Sequence, residues 1–190
     1  MCNQFLKAMI KKILIVLSCS LLFAAMANGQ NFKLGLKAGV QSANYSGDDA
    51  GFDARLSIHF GGFAQFPLQG NFTFQPELIF SLQGAQEEYS DKNINAWYLN
   101  FPLMFKYNVT DHFNLEAGPQ IGFMIGATHD GDKISDQFKT IDFGVNFGMA
   151  YRLTSNVDLG VRYCVGMTDV TDNSGSLYNR VIQLSVGYRF

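Results

Sequence analysis

The sequence predicts an all-β protein: an eight-stranded antiparallel up-and-down transmembrane β-barrel with short periplasmic turns and four long extracellular loops. Three observations carry this. Apolar residues occupy every second position in eight separate stretches, and the last stretch ends on Phe190. A period of two is the signature of a strand with one apolar face. The connections between stretches alternate short and long. No apolar run beyond the N-terminus reaches the roughly 18 residues that a membrane helix needs. A closed barrel is the other structure that satisfies every backbone group in lipid.

The strands follow in order. The first runs from Phe32 to Val40, with Phe32, Leu34, Leu36 and Val40 against Lys33, Gly35, Lys37 and Gly39. The second runs from about Ser57 to Phe66, and the third from Phe72 to Leu82. The third sets Phe72, Phe74, Leu78, Phe80 and Leu82 against Thr73, Gln75, Glu77 and Ser81. In the fourth, Trp97, Leu99, Phe101, Leu103, Phe105 and Tyr107 oppose Tyr98, Asn100, Met104 and Lys106. The fifth carries Phe113, Leu115, Ala117, Pro119, Ile121, Phe123 and Ile125 on its apolar face. The sixth, from Ile141 to Arg152, alternates Phe143, Val145, Phe147 and Met149 with Asp142, Gly144, Asn146 and Gly148. The seventh, from Val157 to Val165, and the eighth, from Ile182 to Phe190, continue the pattern.

Pro67 to Asn71, Val109 to His112 and Leu153 to Asn156 are short connections. Ser42 to Arg55, Gly84 to Asn95, Ala127 to Lys139 and Thr168 to Asn179 are long. Outer-membrane barrels place short turns in the periplasm. With an even strand count, both chain ends then fall on that side. Phe32, Phe66, Phe72, Tyr107, Phe113, Tyr151, Tyr188 and Phe190 gather at the short-turn end and are expected to form an interfacial aromatic girdle. Phe80, Trp97, Phe123, Phe143 and Tyr163 are candidates for a second girdle at the other end.

Volume decides which face points outward. The interior of an eight-stranded barrel is just wide enough for side chains or one small ligand. The apolar face is too bulky for it, so it is expected to meet lipid. A soluble lipocalin-like carrier would need the opposite sense. The small and polar face would then line the lumen, with Lys33, Lys37, Lys106, Arg152, Arg162 and Arg189 beside Glu77, Glu116, Asp142 and Asp158. Buried charges must pair. Arg152 is expected opposite Asp158 and Lys106 diagonal to Glu116, giving a salt-bridged plug instead of a pore. Pro76, Pro102 and Pro119 interrupt strands and are expected to sit at bulges.

Composition agrees. Hydrophobic residues make up 47% and charged residues 16% of the 190-residue chain, and 18 residues are Phe. A soluble domain carries about 25% charge. Residues 1–29 read as a cleaved signal peptide: Lys7, Lys11 and Lys12 precede an apolar core from Ile13 to Ala27. Cleavage after Ala27 or Gly29 fits, the latter leaving 30–190 as the barrel domain. Cys19 sits inside the signal core and is not expected to carry lipid. Only Cys164 then remains, which excludes an intramolecular disulfide and a cysteine-ligated zinc. Losing the three lysines makes the mature chain more acidic than the −2 of the whole sequence. Binding to nucleic acid needs a basic surface, so that class is excluded.

The middle of the chain resembles the PorT-type outer-membrane β-barrel family of Bacteroidetes. The resemblance rests on Phe74-Gln75-Pro76-Glu77-Leu78 followed by Gly84, on Tyr98-Leu99-Asn100-Phe101-Pro102-Leu103 and on Gly118-Pro119-Gln120-Ile121-Gly122. It implies an eight-stranded barrel in the outer membrane of a Gram-negative bacterium; the family's namesake is linked to a gliding-associated secretion system. The end Ser185-Val186-Gly187-Tyr188-Arg189-Phe190 resembles the C-terminal signal read by the barrel-assembly machinery, with Ser185, Gly187, Tyr188 and Phe190 as its carriers.

The expected function is a structural, binding or secretion-associated membrane component and not a porin. Its expected partners are outer-membrane lipid, lipopolysaccharide, the assembly machinery and a secretion-complex or surface protein. No enzyme activity, cofactor or metal is expected. The loop acids, among them Asp48, Asp49, Glu87, Glu88, Asp130, Asp132 and Asp169, lack the spacing of a calcium loop and read as solvated. The rival from another class is an outer-membrane acyl hydrolase, which would need a nucleophile and base near the lipid surface. His59, with Ser57 and Glu77 nearby, is the closest approach to one. By parity His59 faces the lumen, where a structural hydrogen bond is expected, while His112 and His129 lie in connections.

Overall fold

A computed structural model of the chain describes residues 32–47, 52–83, 85–87, 94–129, 132–133, 141–168 and 177–190. The signal segment 1–29, Cys19 and most of the loop acids lie outside them. The described residues form ten strands: β1 (Lys33–Gly47), β2 (Phe52–Pro67), β3 (Phe72–Gln83), β4 (Ala85–Glu87), β5 (Ile94–Asn108), β6 (Phe113–His129), β7 (Asp132–Lys133), β8 (Ile141–Arg152), β9 (Val157–Gly166) and β10 (Leu177–Arg189). Eight of them form the wall, in the order β1-β10-β9-β8-β6-β5-β3-β2, and β2 pairs back to β1. The barrel is closed and every pairing in it is antiparallel. No helix occurs among the described residues.

The strands are longer than the alternation suggests. β6 spans 17 residues and β2 spans 16, because both continue into segments that read as loop. Two short strands extend the rim further: β4 pairs with β2, and β7 with β6. The added residues are short runs, Phe52 to Leu56 in β2 and Gly126 to His129 in β6, and the latter breaks the apolar alternation. Pairing to a neighbour above the membrane-sized band does not need that alternation.

Burial follows parity around the wall. On β3, the inward Gln75, Glu77, Ile79, Ser81 and Gln83 are buried. Leu34, Leu36, Val40, Phe60, Leu78, Phe105, Phe147 and Leu184 are among the outward residues left exposed. Apolar outside and polar inside overturns the soluble carrier reading. Cross-strand aromatic pairs tie the outer face, including Phe72 to Tyr107 at 5.0 Å, Phe74 to Phe105 at 5.1 Å and Phe60 to Phe80 at 5.2 Å. Such pairs add about 0.5–1.5 kcal/mol beyond their buried area.

The prolines are not accommodated by bulges. Each stands at a gap in one ladder whose register is the same on both sides. Phe63 pairs with Glu77 and Phe66 with Phe74, and the two pairs between them, at Pro76, are missing. Glu77 and Leu78 are skipped between β3 and β5 beside Pro102. Leu103 and Met104 are skipped between β5 and β6 beside Pro119. A missing donor costs a hydrogen bond but no residue, so register survives. The register shift lies instead between Trp97 and Tyr98, where Met124 and Gly126 are successive partners and Ile125 is the extra residue. It flips the parity of β6, which turns Ala127 inward to be buried with Ala96.

The three short turns share a hydrogen-bond pattern. Leu68, Val109 and Leu153 each donate a backbone N–H to the carbonyl four residues on, at 2.9 Å. In the second and third turns, a threonine hydroxyl accepts two backbone N–H groups. Thr110 accepts from His112 and Phe113, and Thr154 from Asn156 and Val157, at 3.0–3.3 Å. In the first, Gly70 supplies a φ of 71°, which residues with a Cβ avoid. The closing seam runs over 13 pairs, from Gly35 with Arg189 to Gly47 with Leu177. Beyond it, Phe190 donates its N–H to the Leu34 carbonyl at 2.9 Å.

Candidate functional site

The lumen holds the concentrated chemistry of the described residues. Its centre is Arg162 on β9, 3% exposed. In the ring order three strands separate β9 from β3 on either side, so the two stand on opposite walls. Arg162 spans the gap between them. Its Nη1 meets Glu77 Oε2 at 2.8 Å and its Nη2 meets Glu77 Oε1 at 2.8 Å. Its Nε and Nη2 also reach Glu116 Oε1 on β6, at 2.9 and 2.8 Å. Lys37 on β1 adds a 2.9 Å pair to Glu77, and Lys106 on β5 a 3.3 Å pair to Glu116. Five walls are thereby linked through one guanidinium, whose planar fork suits two-point binding of carboxylates.

Amide layers continue the plug on both sides. Towards the short turns, Gln65 donates to Gln75 and Gln75 to Glu77, both at 2.6 Å. Towards the long connections, Gln183 donates to Gln41 at 3.0 Å and Gln41 to Ser81 at 2.8 Å. Asn179 donates to Gln83. Near the short-turn end, the ring of Phe63 fills the space over Gly35 and Gly187, where a Cβ on Gly35 would stand 2.3 Å from it. Two cavities bounded by lumen side chains measure about 10 and 20 Å³, each enough for about one water.

The sequence-predicted charges divide into three groups. Lys37, Glu77, Lys106, Glu116 and Arg162 come together at the centre. Lys106 and Glu116 are direct cross-strand partners, not diagonal neighbours. At the short-turn end, Arg152 does face Asp158 in register, at 3.8 Å. The hydrogen-bonded cation on Asp158 is instead Arg189, at 2.9 Å. Lys33 is exposed at the barrel rim and makes no ion pair among the described residues. Asp142 takes a side-chain hydrogen bond from Asn179 and no cation among the described residues.

His59 faces the lumen and is 1% exposed. The expected hydrogen bond to Glu77 is not made: both ring nitrogens lack a partner among the described residues, as does the Ser57 hydroxyl. Glu77 instead accepts from Lys37, Gln75 and Arg162 at Oε1 and from Arg162 at Oε2. No hydrogen-bonded Ser57–His59 pair exists, and His112 stacks on Tyr151 at 6.0 Å outside the lumen.

Of the girdle residues, Phe32, Phe72, Tyr107, Tyr151, Tyr188 and Phe190 are exposed and Phe113 is half-buried. Phe66 departs from them: it lies on the outward face by pairing, yet is only 7% exposed, with its ring 6.4 Å from Phe74. In the terminal motif, Ser185 and Gly187 point inward and Tyr188 and Phe190 outward, the two rings 5.5 Å apart. Sequence reasoning missed Phe63 as a lumen residue. Its position an even number of residues from His59 carries that signal.

The family described as outer membrane protein beta-barrel domain matches residues 14–190. The chain belongs to that family. No curated protein matches the sequence. Among solved structures, neisserial surface protein A is similar at 15% identity with a TM-score of 0.59, covering 83% of this chain and 97% of that one. The attachment invasion locus protein Ail of Yersinia pestis is similar at 12% identity and a TM-score of 0.55, covering 83% and 98%. At these identities the likeness is one of fold. This outer-membrane barrel therefore has the architecture of known eight-stranded barrels, filled by its own set of lumen side chains.

Proposed function

We propose that the protein is a non-conducting outer-membrane barrel that acts as a structural, binding or secretion-associated component through its long connections. The observation that supports this is Arg162 bridging opposite walls to Glu77 and Glu116. A guanidinium fixed by two carboxylates in the middle of an eight-stranded lumen supports a blocked interior, and open channels belong to barrels of 16 or more strands. In planar bilayers the purified protein is expected to give no large, steady conductance. A sustained open level of porin size would refute the reading.

The finer assignments belong to the same reading. The PorT-like motifs around Pro76, Pro102 and Pro119 support membership in the PorT-type group of Bacteroidetes. Cleavage of a signal ending at Gly29 would leave both termini in the periplasm, with the long connections at the cell surface. Lipopolysaccharide, the assembly machinery and a surface or secretion partner are the proposed contacts, and catalysis is not proposed. The unpaired state of Ser57 and His59 supports that last point. Cross-linking in intact membranes followed by recovery of the barrel tests the partner. Deleting Phe190 is expected to reduce assembly in cells several-fold, read as loss of the heat-modifiable folded band. Unchanged assembly would assign Phe190 an ordinary role in the closing strand.

A further inference from the structure

Among the described residues, three of the four buried lumen carboxylates bind cations: Glu77, Glu116 and Asp158. Asp142 does not. It is 7% exposed, near the long-connection end of β8, and its Oδ1 has no donor among the described residues. Four residues on, on the same inward face, Asn146 is 0% exposed. Its Nδ2 donates to Gln120 Oε1 at 3.0 Å, and its Oδ1 also has no donor among the described residues. Gly144 lies between these two side chains and pairs with Gly166 across the ladder. A cavity of about 10 Å³ lies there, lined by Asp142, Asn146, Gln120 and Asn179 among others.

Two orphaned acceptors, one of them an acid, therefore border one water-sized space. The amide donors around it are committed: Asn146 gives its N–H groups to Gln120 and Met104, and Asn179 donates to Gln83 and to the other side of the Asp142 carboxylate, not to Oδ1. A water could satisfy both acceptors but would leave a buried negative charge uncompensated, which is costly. We propose that Asp142 and Asn146 form a binding site for one dehydrated hard monovalent cation of the sodium class. The chemistry selects the class. Oxygen donors suit hard cations. A single carboxylate balances one positive charge, whereas calcium sites use several carboxylates. A divalent ion would also leave a surplus positive charge beside the Arg162 cluster. The cavity is too small for an organic ammonium, and Cys164, which also lines it, is a single thiol that cannot by itself hold a soft metal.

The test uses the full barrel refolded in a neutral detergent, with its thermal unfolding midpoint read in sodium chloride and in choline chloride of equal ionic strength. The wild type is expected to melt higher in sodium. Asp142→Asn is expected to lose that difference and to melt above the wild type in choline, because it removes the buried charge. Asn146→Leu is expected to shrink the sodium shift while keeping the fold. Sodium-23 line broadening should appear with the wild type and be lost with Asp142→Asn. Equal wild-type midpoints in the two salts would overturn the proposal. So would an infrared carbonyl band of a protonated acid that persists in sodium and disappears in Asp142→Asn.

Discussion

Replacing Arg162 with methionine is expected to destabilise the folded barrel by about 3–5 kcal/mol, the range seen when one partner of a buried ion pair is removed. The change strands Glu77 and Glu116, both nearly inaccessible, with one lysine each. Urea unfolding in detergent micelles, followed by tryptophan fluorescence and by the heat-modifiable gel shift, measures it. The loss should be largely repaired in a Glu77→Gln/Glu116→Gln/Arg162→Met triple variant, because neutral amides and a thioether need no counter-charge. A single substitution costing under about 1 kcal/mol would mean that the cluster contributes little to closure. The same pair of variants separates plug from stability, since a conducting Arg162→Met barrel that still folds would show what the guanidinium blocks.

Placing an arginine at Leu184 is expected to cost about 2–4 kcal/mol in a bilayer, the range for a cation at the membrane midplane. Leu184 lies in mid-β10, pairs with Val40 and Val161, and is 54% exposed on the outer face. The adjacent Gln183 points inward to Gln41, so Gln183→Ala should cost only about 1 kcal/mol, one hydrogen bond. Folding yield and urea midpoint in lipid vesicles distinguish the two. If Leu184→Arg were as mild as Gln183→Ala, the outer face would not be meeting hydrocarbon.

Neighbouring residues of opposite parity should thus differ in consequence, and parity is visible in the sequence. Leu184 and Gln183 fall on the faces that the alternation assigns them, as do Phe105 and Lys106. The three short turns also set local register. Val109 to His112 brings Lys106 opposite Glu116, and Leu153 to Asn156 brings Arg152 opposite Asp158. Where the rhythm fails, the reading failed with it. The top of β6, Gly126 to His129, loses the alternation and reads as loop, and the top of β2, Phe52 to Leu56, is too short a run to separate from the connection before it. The extra residue Ile125 passes unnoticed because it is apolar on both counts. The prolines suggested bulges, yet the backbone keeps register and forgoes hydrogen bonds instead.

By itself, then, the sequence determined the eight-stranded barrel, the sense of its two faces and most of the residues that fill its lumen, Phe63 and Lys33 being the departures. Those follow from a period of two and from side-chain volume, which are local properties. Only the tertiary structure decided which lumen residues meet. Arg162 finds Glu77 because closure of the ring puts β9 opposite β3, and Arg189 reaches Asp158 ahead of Arg152. Asp142 is left without a cation among the described residues, beside a cavity of about 10 Å³. Contacts across a barrel depend on strand order, stagger and closure, and these bring together residues that no local pattern relates.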